Sequence, residues 1–320
     1  MKPAQIQMAA DELLALIHNS SRPANEIINA YTRARRYIGS KDRHTLTDIV
    51  WQAIKNQPTP GWLCNYIPEE ELNAMKQPSQ TILRVNGNRD KIQKLLEEQN
   101  ISCVPTPLSP LGLILAKRTN LQTLKPYQQG LIEVQDEGSQ LAALATNIQS
   151  GETVLDYCAG AGGKSLCFAQ MMHNQGKITA HDISKLSLKE LQKRAKRAGA
   201  SIIQITQKPR GSFDHVVVDA PCSGSGTWRR NPDGRLKLSQ QQLAALIKKQ
   251  ANILEKAATF VRHGGYLHYI TCSLIKKENQ EQMQFFLKKH PEFRLCHHQQ
   301  WTPAKTNTDG FFLATFQQTK

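Results

Sequence analysis

From about residue 133 onward, short β-branched and apolar runs alternate with amphipathic helical stretches, and no other feature limits the fold as strongly. "TVLDYC" reads as a strand leading through a glycine loop into the helical "KSLCFAQMM". "KITAHDIS" precedes a basic helical stretch reaching Ala198, "SIIQIT" is a third strand, and "FDHVVVDAP" is a fourth. The long amphipathic "QQLAALIKKQANILEKAATFV" then leads to a fifth strand, "GGYLHYITC", and a further helix, "ENQEQMQFFLKKH". Strands joined by helical crossovers imply an α/β fold: an open, mostly parallel sheet with helices on both faces. "TNTDGFFLATF" reads as a hairpin turn at Asp309-Gly310 entering a last strand.

Two regions of different character come first. Residues 1–75 read as helices, including "NEIINAYTRARRYI" with Ile27, Ile28, Tyr31 and Ile38 on a helical period. Residues 76–130 combine the strand "TILRVN", the helix "RDKIQKLLEEQN" and two extended runs into a small α/β module. That leaves 131–320 for the parallel sheet. The net charge of +15 favours a polyanionic partner. Met1–Ala10 is polar, and no run of about 20 apolar residues occurs, so neither a signal peptide nor a membrane span is expected. Seven cysteines without a C-x-x-C pair point to a reducing, cytoplasmic setting with neither a disulfide framework nor a metal site. A monomer is expected.

The loop "LDYCAGAGGKS" sits between a strand and a helix, where a doubly wound sheet binds a nucleotide-like cofactor. Gly160, Gly162 and Gly163 allow tight turning and close approach of a ligand. The loop lacks the third glycine of the dinucleotide fingerprint and the spacing of a P-loop. Asp156, ending the strand, would repel pyrophosphate but suits an ammonium. Asp182, ending the next strand, suits two ribose hydroxyls. Both features fit S-adenosylmethionine; the alternative is a structural turn between two ordinary strand-end acids.

Asp219-Ala220-Pro221-Cys222 follows the fourth strand, and Thr271-Cys272-Ser273 follows the fifth. If those strands are neighbours, about 4.8 Å apart, both thiols face one crevice at the carboxyl ends. Such a pair suits chemistry at carbon 5 of cytosine. A thiolate adds to carbon 6, an adjacent acid keeps the ring nitrogen protonated, and the thiolate is expelled after methyl transfer. A free thiol ionises near about pH 8.5, and cationic Lys164, Arg229 and Arg230 would lower that. A lone strand-end cysteine is otherwise a small apolar filler, the reading given to Cys64, Cys103, Cys158, Cys167 and Cys296.

"DAPCSGSGTWRRNPD", "ITCSL", "LDYCAGAGGKS", "VQDEGSQLAA" and "DGFF" together resemble the Fmu/Sun family of RNA (cytosine-5) methyltransferases over roughly residues 80–320. Residues 1–75 more faintly resemble that family's helical NusB-like extension, in shortened form. The resemblance implies a class I methyltransferase, Rossmann-like fold of the bacterial ribosomal RNA branch, using S-adenosylmethionine. It implies that Cys272 is the nucleophile, that Cys222 assists release of the adduct, and that Asp219 holds the cytosine edge and borders the cofactor. Cys158, Ala159, Gly160, Ala161, Gly162, Gly163 and Lys164 would line the cofactor, with Asp182 on its ribose. Arg229 and Arg230 would meet phosphates with Trp228 packing nearby, or else form a surface turn. Gln135 and Asp136 would begin a helix under cofactor and RNA, or simply cap it.

Two departures stand out. Ala161 replaces the family's usual proline. Residues 191–213 contain no acid, so the usual carboxylate toward adenine is missing, leaving backbone, Gln204 or Gln207. For RNA, the cluster Arg33, Arg35, Arg36, Lys41 and Arg43 is preferred over the stripe Lys185, Lys189, Lys193, Lys196 and Arg197, which reads as a solvated helix face. A DNA cytosine-5 methyltransferase would need a Glu-Asn-Val triplet and a large target domain, and an amino-methylating enzyme an Asn-Pro-Pro-Tyr type motif. A transfer RNA enzyme and a catalytically idle RNA-binding assembly factor remain open.

Overall fold

In the computed structural model, which describes residues 1–20, 22–117 and 119–319, three helices come first: α1 (Pro3–His18), α2 (Ala24–Ala34) and α3 (Ser40–Asn56). Short α4 (Glu69–Ala74) follows. The small module holds β1 (Thr81–Val85), α5 (Arg89–Glu97), β2 (Cys103–Pro105), β3 (Gly112–Leu115), α6 (Lys125–Gln128) and β4 (Ile132–Val134). Its strands form a four-stranded sheet ordered β2-β3-β1-β4, antiparallel throughout. The module thus reaches Val134, and a boundary at 130 cuts off a strand paired to β1. α2 ends at Ala34, so Ile38 is buried from a loop rather than from the helix.

Next come α7 (Glu137–Leu144), β5 (Thr153–Asp156), α8 (Gly163–Met171), β6 (Lys177–His181), α9 (Lys185–Arg197), β7 (Ile203–Thr206) and β8 (Phe213–Asp219). The chain continues through α10 (Asp233–Lys237), α11 (Gln240–Ala258), β9 (Val261–Thr271), α12 (Gln280–Lys289), β10 (Phe293–Trp301), α13 (Pro303–Thr306) and β11 (Phe311–Gln318). The central sheet has seven strands ordered β10-β11-β9-β8-β5-β6-β7. β9 through β7 run parallel, while β11 is antiparallel to β9 and β10. The Asp309-Gly310 pair is no hairpin turn. β10 and β11 are joined through α13, and Asp309 is buried.

Side-chain alternation explains why both sheet faces are covered. Leu155, Val216, Val218, Leu267 and Tyr269 enter one core with α11 and α12. Val154, Val217, Ile270 and Leu313 enter the other with α7 and α8. A strand buried on both faces reads as a continuous apolar run, as Val216-Val217-Val218 does. α11 starts from a reciprocal cap, Ser239 Oγ accepting from Gln242 N (3.1 Å) and Gln242 Oε1 from Ser239 N (2.8 Å).

The N-terminal helices are tied to the sheet domain beside the Asp-Ala-Pro-Cys loop. Ala24 N donates to Asp233 Oδ2 (2.9 Å). Buried Arg235 donates to the carbonyls of Ile54 (3.0 Å), Lys55 (2.9 Å) and Gln57 (2.6 Å), satisfying the end of α3.

Toward the start of the parallel strands, His215 Nδ1 lies 2.9 Å from His268 Nε2, and His268 Nδ1 lies 3.0 Å from Thr315 Oγ1. Burial, reinforced by neighbouring His215 and His297, holds His268 well below the usual imidazole range. Burial also lowers His215, although Glu152 opposes it. The unfolded chain therefore takes up more protons than the folded one once the pH drops below about 6.5, and stability falls with it. Urea unfolding is expected to show about 1–3 kcal/mol less stability at pH 5 than at pH 7. His268→Gln should flatten that slope, and an unchanged slope would remove the pair as its cause.

Candidate active site

β5 sends the next strand, β6, to one side while β8 lies on the other. The crevice at their carboxyl ends is thus the topological switch point of the sheet, where ligands bind in such folds. Three loops meet there, following β5, β8 and β9. Asp219 is in register with Ile270 on the neighbouring parallel strand, and Ala220 N donates to Ile270 O (2.8 Å). This register carries Cys222 and Cys272 past their strand ends together. Their sulfurs lie 3.4 Å apart, both half-buried, and all seven cysteines are free. Cys103 and Cys167 are buried fillers, but Cys64 and Cys296 are exposed and do not fit that reading.

Lys164, at the start of α8, is 7% exposed and donates from Nζ to Asp219 Oδ2 at 2.7 Å. Burial pulls the ammonium's pKa down, but Asp219 more than offsets this, with help from Cys272 and Asp156, leaving it above the ordinary lysine range. Of the three cations expected at the thiols, Lys164 is the one that interacts with Cys272. Cys222 itself is not lowered. Its bond to Cys272, then burial, then the negative fields of Cys272 and Glu278 hold it well above the usual cysteine range.

The glycine loop is built for close approach. Gly162 has φ +85°, and a Cβ there would meet Leu191 Cγ at 2.6 Å, so only glycine fits. Cβ atoms at Gly160 and Gly163 would instead point into open space, which leaves a cradle at the loop's face. Asp182 Oδ2 accepts from Gly160 N (2.8 Å) and Oδ1 from Ser184 N (2.7 Å), fixing this carboxylate beside the cradle with lone pairs to spare. At Ala161, where proline is usual, the carbonyl is held by Arg194 Nη1 (2.8 Å), which supplies rigidity by another route. Half-buried Cys158 and buried Ala159 complete the loop. Gln204 and Gln207 are both exposed, on and just after β7.

Several expected contacts are different in the structure. Asp156 has no exposed surface. It accepts from Ser165 Oγ (2.6 Å), and burial pushes its pKa up to about 7, so it anchors α8 rather than meeting an ammonium. Arg229 and Arg230 do not form a phosphate-facing pair. Arg229 is buried, donating to Asn307 Oδ1 (2.8 Å) and Asn307 O (3.0 Å). Arg230 bridges Asp309 (2.7 Å) and Asp136, and donates to Gln80 O (2.9 Å). Trp228 lies in a buried cluster with Leu63, Leu243 and Ile275. Asp136 caps α7, accepting from Gly138 N (2.8 Å) and Asp309 N (2.9 Å). Gln135 is buried and accepts from Arg84 (2.8 Å). Beyond these ties, Gly226 and Gly310 pack backbone to backbone, Gly310 N donating to Gly226 O at 2.8 Å; a Cβ on Gly226 would sit 2.3 Å from Gly310 O. The "DGFF" segment therefore braces the Cys222 loop.

In the basic N-terminal cluster, Arg33 and Arg36 are exposed. Arg35 pairs with Glu12 (2.7 Å) and covers the Tyr31 ring at 3.6 Å. On α9, Arg194 (3.0 Å) and Arg197 both pair with buried Glu133, tying that helix to β4. One participant at the crevice escaped the sequence reading: Glu278, whose bonding depends on donors from three separate segments.

Comparison with known proteins agrees with this geometry. A family model described as "16S rRNA methyltransferase RsmB/F" matches residues 143–317, more than half of the chain. A "Probable ribosomal RNA small subunit methyltransferase B" of Bacillus subtilis is 35% identical over 270 residues, covering 75% of this chain and 60% of the relative. The chain thus spans less than two thirds of that relative's length. A protein of the same description from Synechocystis sp. is 32% identical over 338 residues, covering 94% of this chain and 76% of the relative. The crystal structure of a methyltransferase homolog protein from Pyrococcus horikoshii superposes with a TM-score of 0.69 at 25% identity, covering 78% of this chain and 90% of that one. A class I, Rossmann-like fold, a two-cysteine crevice and these matches lead to one conclusion: the chain belongs to the RsmB/F (Fmu/Sun) family.

Proposed function

We propose that this protein transfers a methyl group from S-adenosylmethionine to carbon 5 of a cytosine in RNA, with 16S ribosomal RNA in the cytoplasm as substrate. The observation that carries this reading is the pair of sulfurs 3.4 Å apart beside the Lys164–Asp219 ion pair. When bound, S-adenosylmethionine supplies an electrophilic methyl group. The Gly160–Gly163 cradle would hold it, with Asp182 on the ribose and Asp219 at its border. Cys272 adds as a thiolate to carbon 6. The ring nitrogen takes up a proton from water as the thiolate adds, Asp219 accepts its hydrogen bond so that electron density is delivered to carbon 5, and the proton returns to water when Cys272 leaves. After methyl transfer, a base takes the proton on carbon 5, the ring double bond re-forms, and Cys272 departs with the electron pair of its bond to carbon 6. Cys222 serves as that base or passes the proton to one.

A groove of about 440 Å³ beside Cys222, lined by Ser223, Leu238, Leu246 and Lys249, gives an unstacked nucleotide a way in. Exposed Arg33 on α2, Arg36 just after it and Lys41 on α3 are among the cations that RNA can reach in the N-terminal region, and the three regions act as a helical RNA-binding extension, a small RNA-binding module and the methyltransferase domain. The absence of an acid after β7 favours a second reading, an idle assembly factor. Bisulfite sequencing of 16S ribosomal RNA from cells with and without the gene separates the two. Loss of one methylated cytosine on deletion is expected; an unchanged pattern with intact RNA binding leaves the assembly factor.

A further inference from the structure

The residue after each active-site cysteine converges on one carboxylate. Glu278, between β9 and α12, has no exposed surface yet accepts four hydrogen bonds. Ser223 N and Gln250 Nε2 donate to Oε1, each at 2.8 Å. Ser223 Oγ (2.5 Å) and Ser273 Oγ (2.6 Å) donate to Oε2. Ser223 follows Cys222, and Ser273 follows Cys272. The surroundings repeat the pattern: the Glu278 carbonyl accepts from Tyr269 Oη (2.6 Å), Asn279 donates to Ser273 O (2.7 Å), and Gln250 donates to Pro221 O (3.1 Å). Among the described residues no basic group pairs with Glu278. A buried carboxylate without a cation is a costly way to fill space, and an apolar side chain of similar volume would serve stability as well. Its placement therefore calls for a role in the site.

We propose that Glu278 is a positioning residue, whose carboxylate clamps the Pro-Cys-Ser and Thr-Cys-Ser turns together and so sets the two sulfurs against each other. This rests on the two-thiol reaction proposed above. The same charge contributes, after the bond to Cys272 and burial, to keeping Cys222 a thiol. A thiol there explains how Cys222 promotes release. As carbon 5 gives its proton to the Cys222 sulfur, the C5–H electron pair closes the ring double bond. The C6–S bond breaks toward Cys272, which takes the proton Cys222 already held. Protons and electron pairs balance without any further reactant.

Iodoacetamide alkylation of the full-length protein, read at each cysteine by mass spectrometry from pH 6 to pH 10, tests the clamp without RNA. Glu278→Gln removes the charge and keeps an acceptor for Ser223 N and Gln250, while its amide nitrogen donates to the serine oxygens, so both hydroxyls must turn to other acceptors. Its Cys222 midpoint should move down by about one pH unit, which is about tenfold faster alkylation below the midpoint. Cys272 should change less than about threefold on the same scale. Glu278→Ala should alter both sulfurs. Its single-turnover methylation of a 16S ribosomal RNA transcript should fall about 100-fold, while Glu278→Gln retains more of the rate with a shifted pH profile. Wild-type alkylation profiles in Glu278→Gln would overturn the proposal, whether or not Glu278→Ala folds. Shifted profiles in Glu278→Gln, together with a wild-type protein that methylates no cytosine, would leave the clamp standing and remove the proposed reaction.

Discussion

A Cys222→Ala variant incubated with 16S ribosomal RNA and S-adenosylmethionine is expected to accumulate as a protein–RNA adduct that survives a denaturing gel, whereas Cys272→Ala should form none. The asymmetry follows from the two jobs. Cys272 makes the bond to carbon 6, so its loss should lower methylation by about 10⁴-fold or more, the scale on which covalent nucleophiles matter. Cys222 acts after methyl transfer, so its loss leaves bond formation intact and slows only release, lowering turnover about 100- to 1,000-fold. Both sulfurs are half-buried, so each alanine should cost only about 1 kcal/mol of stability. Matching thermal melts would show that the gel reports chemistry rather than unfolding. The reverse gel pattern would exchange the two roles, and no adduct from either variant would remove covalent catalysis.

The parts of this site that were legible in the sequence are those written in local pattern. Val216-Val217-Val218 running into Asp-Ala-Pro-Cys, and "GGYLHYIT" running into Cys-Ser, announce buried strands whose ends carry chemistry, because a strand covered on both faces is apolar along most of its length. The glycine loop was readable for a similar reason, since Gly162 has no room for a side chain and a backbone that others avoid. β10 was not legible. "FRLCHHQQW" is polar and largely exposed, and it pairs with β11 through its backbone. The roles of Arg229 and Arg230 were misread because their partners, Asn307, Asp309 and Asp136, stand far away in the chain. A basic pair before Asn231-Pro232 looks like a solvent-facing turn until the fold supplies those acceptors. Asp309-Gly310 carried a turn signal, yet its glycine is required by contact with Gly226. Glu278 makes the same point for a carboxylate: its burial depends on donors from Ser223, Gln250 and Ser273, brought together only by tertiary structure.

Asp219→Asn should abolish methylation and also weaken the fold, and the two losses can be separated. Lys164 is 7% exposed and Asp219 33% exposed. Neutralising Asp219 leaves a buried ammonium without its counter-charge, a defect that costs about 3–5 kcal/mol when both partners are fully buried. Because Asp219 is partly hydrated and asparagine keeps an acceptor oxygen, about 2–3 kcal/mol is expected here. Lys164→Met leaves the more exposed charge unpaired and should cost about 1 kcal/mol. The double variant removes both charges and should regain about 1–2 kcal/mol over Asp219→Asn alone, as buried pairs do when replaced together. Methylation should not return with it, staying about 10³-fold down, because no carboxylate then accepts the proton of the cytosine ring. The wild-type pair also has a pH signature. The lysine pKa is raised in the folded state, so its stabilisation is complete below the ordinary lysine range, near about pH 10.4, and fades as the pH rises through the folded value. Urea unfolding of the four proteins gives the coupling, and single-turnover methylation gives the chemistry. A double variant no more stable than Asp219→Asn would mean that the ion pair does not hold the crevice together. A double variant that methylates at the wild-type rate would mean that Asp219 is not the group holding the base.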